Sequence, residues 1–293
     1  MRGNAGRERM PDFIAVGPPR TGTTWLHGVL CHCANVPRGL KETHFFDTFH
    51  SKGLDWYLRY FDRGTHGRPI GEITPAYFGS AIARERIARD LCKIKIVITL
   101  RDPVARAYSQ YRKMMRGGLL RGSFQHEVAA NAHMRESSRY GFHLERWREQ
   151  FGADNVAVFF FDDLATAPQR FADGACDFIG AGRVPLTPEV AASLDRNEVT
   201  RGPRWRALAY AARHLQMWLG SRGAFSLTDA LRRAGIWRLC FESGAEFPPL
   251  SAEADARMRE FFLPEVEAVE RIVKCDLSAW KPPPMPSSAS AVL

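Results

Sequence analysis

Nowhere in the 293-residue chain do 18 apolar residues run together, so no membrane-spanning helix is expected. The charged stretch Met1 to Met10 leads into no apolar segment of the kind a secretory signal requires. Cysteine is scarce: the six residues Cys31, Cys33, Cys92, Cys176, Cys240 and Cys275 are too few and too scattered for a disulfide framework. These absences lead to the expectation of a cytoplasmic protein with reduced thiols. No internal repeat is found. Acidic residues are in deficit, 32 against 41 basic, for a net charge of +9. Such a surface favours an anionic partner: nucleotide, nucleic acid, acidic glycan or lipid headgroup. With 45% apolar and 25% charged residues, the chain has the composition of an ordinary globular protein with material for a large core.

Short apolar runs alternate with helical patterns over the first two thirds. Phe13 to Val16 reads as a buried strand that stops at Gly17-Pro18-Pro19, and a helix follows from Thr23, with Trp25, Leu26, Val29 and Leu30 on one face. Ile94 to Leu100 is a second strand, ending at Arg101. Asp102 suits an N-cap and Pro103 the first helical position, so a helix should begin there. Val156 to Phe161 makes a third strand and Pro69 to Ile73 a shorter one. Helices are predicted at Ile82 to Leu91, Tyr140 to Phe151, and around Phe171, Cys176 and Phe178. This alternation predicts an α/β fold with a central, mostly parallel sheet covered on both faces.

After about Gly180 the strand signals stop and the remainder reads as helical. Trp205, Leu208, Ala212, Leu215 and Leu219 share one helical face, and Met258, Phe261, Phe262, Val266, Val269 and Val273 another. The predicted organisation is a polar tail at 1–11, one domain at 12–281 whose helical part is about 181–281, and a disordered Pro/Ser/Ala tail at 282–293.

The segment Gly17-Pro18-Pro19-Arg20-Thr21-Gly22-Thr23-Thr24 lies between strand and helix. Glycines let backbone N–H groups approach an anion closely, and the helix N-terminus adds its dipole and free donors. Arg20 supplies a planar cation, Thr23 and Thr24 hydroxyl donors. A nucleoside-triphosphatase loop would carry lysine after the last glycine, where Thr23 stands here. The bland reading of the same residues is a turn with positive φ at Gly17 and Gly22.

This segment resembles the 5′-phosphosulfate loop of sulfotransferases that use 3′-phosphoadenosine 5′-phosphosulfate (PAPS). Three further blocks share the resemblance in order and spacing: Lys41-Glu42-Thr43-His44-Phe45-Phe46-Asp47, Glu72-Ile73-Thr74-Pro75-Ala76-Tyr77-Phe78, and Arg101-Asp102-Pro103-Val104-Ala105-Arg106-Ala107-Tyr108-Ser109. They are similar to blocks of the heparan-sulfate-type and bacterial enzymes and cover about residues 12–180. The resemblance implies a P-loop-like fold and sulfuryl transfer from PAPS to an acceptor hydroxyl or amine, without a metal. Two departures stand out. Relatives usually carry lysine at the position of Arg20, and many carry lysine at the position of Ile73.

On that reading, Arg20, Thr21, Gly22, Thr23, Thr24 and Trp25 would form the 5′ cradle, although Trp25 and Tyr108 suit the core better than they suit an adenine platform. Lys41 would neutralise the transferring sulfonate. Glu42 is the candidate general base, its pKa expected to rise among Phe45 and Phe46. His44 is the runner-up base, and Asp47 would orient a basic group. Arg101 and Ser109 would converge on the 3′-phosphate, while Arg106 is read as a surface arginine. Residues 196–238 hold nine arginines against Glu198 and Asp229. They form a solvated face, a lid over the nucleotide through Arg201 and Arg204, or a surface for an acidic acceptor or membrane lipid. Cys31-His32-Cys33 lacks the companions a metal site needs. The acceptor would be a small molecule, glycan or lipid. The alternatives are a P-loop nucleotide kinase or NTPase and a nucleic-acid binder, the latter without a recognition motif.

Overall fold

The computed structural model describes residues 10–61, 67–91, 93–191, 199–221, 230–231 and 233–283. Most of both predicted tails, and Arg196, lie outside that range.

Strand β1 (Phe13–Ala15) stands next to β2 (Gly71–Ile73) on one side and β3 (Lys95–Leu100) on the other, and β4 (Val156–Phe160) completes the order β2-β1-β3-β4. Each of the three pairings is parallel. Parallel neighbours require crossovers, and helices supply them on both faces. Because successive residues of a strand point to opposite faces, β1 divides its side chains between two cores. Ile14 joins Ile96, Ile98 and Leu100 under α3 (Ala81–Asp90) and α7 (Tyr140–Phe151). Phe13 and Ala15 join Val97 and Ile73 under α1 (Thr23–Cys33) and α9 (Pro168–Ile179). The observed strands fall within one or two residues of the predicted runs. Phe161 instead opens the short helix α8 (Phe161–Thr166).

Helix α4 (Pro103–Arg116) starts where the capping signal placed it. The Asp102 carboxylate accepts hydrogen bonds from the Val104 and Ala105 N–H groups, 2.9 Å each. A third core, with Val104, Ala107 and Phe124, joins α4 to α5 (Phe124–Ala130) and to the long C-terminal helix (Ala252–Val273) through Met258 and Phe262. That helix is also latched to α7, where Glu265 accepts from the Gly141 N–H at 2.8 Å and Arg148 donates to the Ile272 carbonyl at 2.6 Å.

Beyond Gly180 the regular elements among the described residues are helices, joined by loops and by an isolated antiparallel bridge between Arg201 and Glu246. Helix α11 (Arg206–Ser221) crosses Gly117-Gly118 at the end of α4, where an Arg206 Nη2–H donates to the Gly118 carbonyl at 3.3 Å. It packs with α12 (Ile236–Phe241). One expectation fails here. Ala212 and Leu219 are covered, but Leu208 and Leu215 are exposed, and Trp205 lies exposed before the helix begins. The spacing identified residues on neighbouring parts of one helix, but only an edge of that stripe meets the protein.

Candidate active site

At the C-terminal ends of the strands the protein walls a cavity of about 820 Å³. Ligands of open parallel sheets bind at this end because loops and helix N-termini converge there. Arg20, Thr23, Thr24, Lys41, Glu42 and Arg101 all line it.

The loop between β1 and α1 is shaped by close packing. A Cβ on Gly17 would lie 2.6 Å from the Thr99 backbone nitrogen, so this glycine permits contact with β3 and does not have the positive φ expected of it. Gly22 does, at φ 85°, and a Cβ there would also meet Leu164. Arg20 takes up φ 76°, a left-handed conformation disfavoured for a side-chain-bearing residue. Its Nε–H donates to the Ser109 hydroxyl at 2.9 Å, joining the loop to α4. Ser109 is fully buried and does not line the cavity. Its hydroxyl meets the cation of the loop, Arg20, on the side away from the cavity lining. The Thr21 side chain is buried too, donating to the Pro18 carbonyl and sharing a hydrogen bond with Thr99, 2.7 Å each. Only its backbone remains suited to an anion. Trp25 is nearly buried, edge-on to Phe171, with part of its surface on the cavity.

Opposite the loop runs a chain of charges. Lys41 Nζ donates to Thr24 at 3.0 Å, to Thr23 at 3.4 Å and to Glu42 Oε1 at 3.1 Å. Glu42 Oε2 lies 3.4 Å from His44 Nε2, and His44 Nδ1 lies 3.0 Å from Asp47. Hydrogen bonds donated to Asp47 and Glu42 outweigh burial and raise His44 to about 10. Burial alone would push the Glu42 carboxyl up, but hydrogen bonds and charge from His44 and Lys41 hold it at about 2. The expected rise is thus reversed. Phe45 and Phe46 turn into the core, and the groups that face Glu42 are cations. His44, held between two carboxylates, is an imidazolium and not a free base, with Asp47 orienting it as expected.

The segment itself is fixed from below. The fully buried Glu72 of β2 accepts hydrogen bonds from Thr43, from Thr74 at 2.8 Å and from Tyr57 at 2.9 Å. Burial keeps its carboxyl above the ordinary range despite those donors. Ile73, one residue on, points into the opposite core, so its side chain contributes nothing to the cavity.

Arg101 lines the cavity with its guanidinium over the Phe161 ring, 4.5 Å from the centroid, and its carbonyl accepts from the Tyr140 hydroxyl at 3.1 Å. Arg106 is not a surface residue. It is fully buried, and burial lowers its pKa while it donates to Ser138 and, weakly, to the Met134 carbonyl. Arg201 and Arg204 do not reach the cavity: the first is 3.6 Å from Glu246, and the second stacks on Trp205. Tyr108 packs half-buried on Phe124 and Tyr111. Cys31 is exposed near His27 while Cys33 is buried against Cys176, which separates the two thiols of the Cys-His-Cys fragment.

Four polar lining residues escaped the sequence reading: Gln110, Lys113, His133 and Arg213. Lys113 follows Ser109 by one helical turn, so the spacing along α4 would have revealed it. Burial, then the Arg20 charge, hold Lys113 below the ordinary lysine range, with Glu42 opposing.

The sulfotransferase domain family matches residues 10–197. The membrane-associated sulfotransferase kil1 of Dictyostelium discoideum is 32% identical over 152 residues, 48% of this chain and 32% of that protein. The human bifunctional heparan sulfate N-deacetylase/N-sulfotransferase 2 is 28% identical over 197 residues, 59% of this chain and 22% of that protein. The chain thus spans about a third or less of the length of these relatives. In fold it is similar to a crystal structure of a sulfotransferase from Alicyclobacillus acidocaldarius, with a TM-score of 0.66 and 21% identity over 92% of this chain and 98% of that one.

Proposed function

Because the chain belongs to the sulfotransferase domain family, we propose that its cavity transfers the sulfuryl group of PAPS to an acceptor hydroxyl or amine, in line and with Glu42 as the general base. The observation that carries this reading is the position of Lys41. It touches the threonines of the anion loop and the carboxylate of Glu42 at once, so the anion site and the base share one cation.

The donor set suits the nucleotide. Arg20, the N–H groups at the start of α1, Thr23 and Thr24 would hold the 5′-phosphate, and Arg101 the 3′-phosphate. PAPS supplies an activated sulfuryl group whose bond to the 5′-phosphate oxygen breaks as the acceptor oxygen or nitrogen bonds to sulfur. The negative charge left on the phosphate belongs where Arg20, Lys41 and the helix N-terminus can stabilise it. Glu42 takes the acceptor's proton. Paired as it is with His44 and Lys41 in the free protein, Glu42 is a weak base, and drawing Lys41 onto the sulfonate would raise its basicity. Lys113 is placed to supply the cation that many relatives carry at the position of Ile73. A glycan, a lipid or a small phenolic or alcoholic metabolite would all present suitable acceptor groups.

Calorimetry with 3′,5′-adenosine bisphosphate and with ATP tests the nucleotide directly. Binding of the bisphosphate without binding of ATP is expected, with no divalent ion required. Magnesium-dependent binding of ATP alone would sink the proposal and return the kinase reading.

A further inference from the structure

Of its described apolar side chains, helix α11 buries only Ala209, Ala212 and Leu219. An amphipathic helix on a protein surface normally buries its apolar stripe and shows its charges. Here Arg206, Arg213 and Gln216 face the protein and are partly covered, while Leu208, Tyr210, Leu215, Met217 and Trp218 are 43–53% exposed. At 100° per residue, those five side chains spread over about half of the helix circumference. The apolar surface continues onto α12, where Ile236 and Leu239 are 41% and 67% exposed. An exposed apolar area of this extent, rimmed by charge, marks an interaction surface.

The rim identifies the partner. Among the described residues, Arg201, Arg204, Arg233 and Arg238 are exposed beside the patch. Glu242 and Glu246 lie on the same side, 3.9 Å from Arg238 and 3.6 Å from Arg201, and leave the excess positive. A second copy of the chain would bring like charges together. An anionic bilayer satisfies both parts of the surface. Tryptophan, tyrosine and leucine enter the headgroup boundary, while arginines stay at the phosphate level. Arg213, on the covered side of the same helix, lines the cavity, so a surface docked on α11 would border the active site.

We infer that the exposed face of α11 and α12 docks on an anionic lipid surface. This inference stands apart from the sulfuryl-transfer reading, because its test needs neither nucleotide nor acceptor. Flotation with phosphatidylcholine vesicles, with and without phosphatidylserine, measures it. The full chain should float with the anionic vesicles and lose that binding as salt is raised. The triple variant L208S/L215S/W218S, which removes exposed side chains and no cavity residue, should bind at least about tenfold more weakly. Unchanged thermal unfolding and unchanged binding of 3′,5′-adenosine bisphosphate would show that the variant is folded. Equal flotation of variant and wild type would overturn the inference, since charge alone would then suffice. So would failure of the wild type to float, or a concentration-dependent dimer that the triple variant abolishes, which would assign the face to a second copy.

Discussion

The sheet-and-loop part of the molecule and the helical part around α11 solve opposite problems with the same residue types. Around the sheet, apolar side chains go inward on both faces, and charged groups are held at the strand ends in pairs: Lys41 with Glu42, and His44 between Glu42 and Asp47. Around α11 the large apolar side chains Leu208, Tyr210, Leu215, Met217 and Trp218 go outward, while Arg206 and Arg213 go inward beside Ala209, Ala212 and Leu219. A folded chain tolerates charge on its inner side only where charge has work to do, because desolvation is costly. In the first region that work is holding an anion and a base. In the second, the inward Arg213 serves the same cavity, and the displaced apolar face needs a cover of its own.

The sharpest way to break this contrast is at Glu42. Glu42→Gln keeps size and hydrogen bonding but removes the proton acceptor, so single-turnover transfer should fall by about 10²–10⁴-fold. Affinity for 3′,5′-adenosine bisphosphate should hardly change. A variant that transfers at the wild-type rate would make the charge chain a structural device. Arg101→Ala should act on the other quantity, weakening bisphosphate binding by about 2–3 kcal/mol for the loss of charge-assisted hydrogen bonds. Wild-type affinity in calorimetry would remove Arg101 from the nucleotide.

The pH profile separates the two candidate bases. With Glu42 at about 2, the base is ionised throughout the physiological range, so kcat/KM should show no acid limb near pH 6–7. His44 is raised from 6.5 to about 10. Its pairing therefore stabilises the fold fully below pH 6.5, and that contribution is lost as pH rises through about 10. Activity should fall over the same upper range, as Glu42 loses its orienting partner, and this limb should vanish in His44→Asn. An acid limb near pH 6.5 in the wild type would mean that neutral imidazole takes the proton.

Much of the first region was legible before any coordinates. Apolar runs located the strands, Asp102-Pro103 located the start of α4, and the anion loop announced itself by composition. What escaped depended on which way a side chain faces. Sequence placed Glu42 beside aromatic residues, but Phe45 and Phe46 turn into the core through a π-helical turn at Phe45–Phe49, leaving Glu42 among cations. Arg106 and Lys113 share one face of α4 two turns apart, yet the first is fully buried and the second lines the cavity, a distinction that depends on what each turn packs against. On α11 the same ambiguity was total. A repeat of three and four identifies residues that share a face, but burial depends on a partner that periodicity does not name.

The smallest expected effect bears on that last point. Leu144 on α7 is fully buried in the core under the sheet, whereas Leu215 on α11 is 48% exposed. Truncating a buried leucine removes both transfer free energy and packing, so Leu144→Ala should cost about 2–5 kcal/mol in denaturant unfolding. Leu215→Ala removes side-chain atoms about half of whose surface already lies in water and should change stability by no more than about 1 kcal/mol. The pair of measurements tests the outward apolar face of α11 with no membrane present. If Leu215→Ala proves as costly as Leu144→Ala, the face is covered in solution by protein, and the contrast between the two regions disappears. If it is nearly neutral, the outward leucines contribute nothing to the folded chain alone, and their effect must be sought on the surface against which they dock.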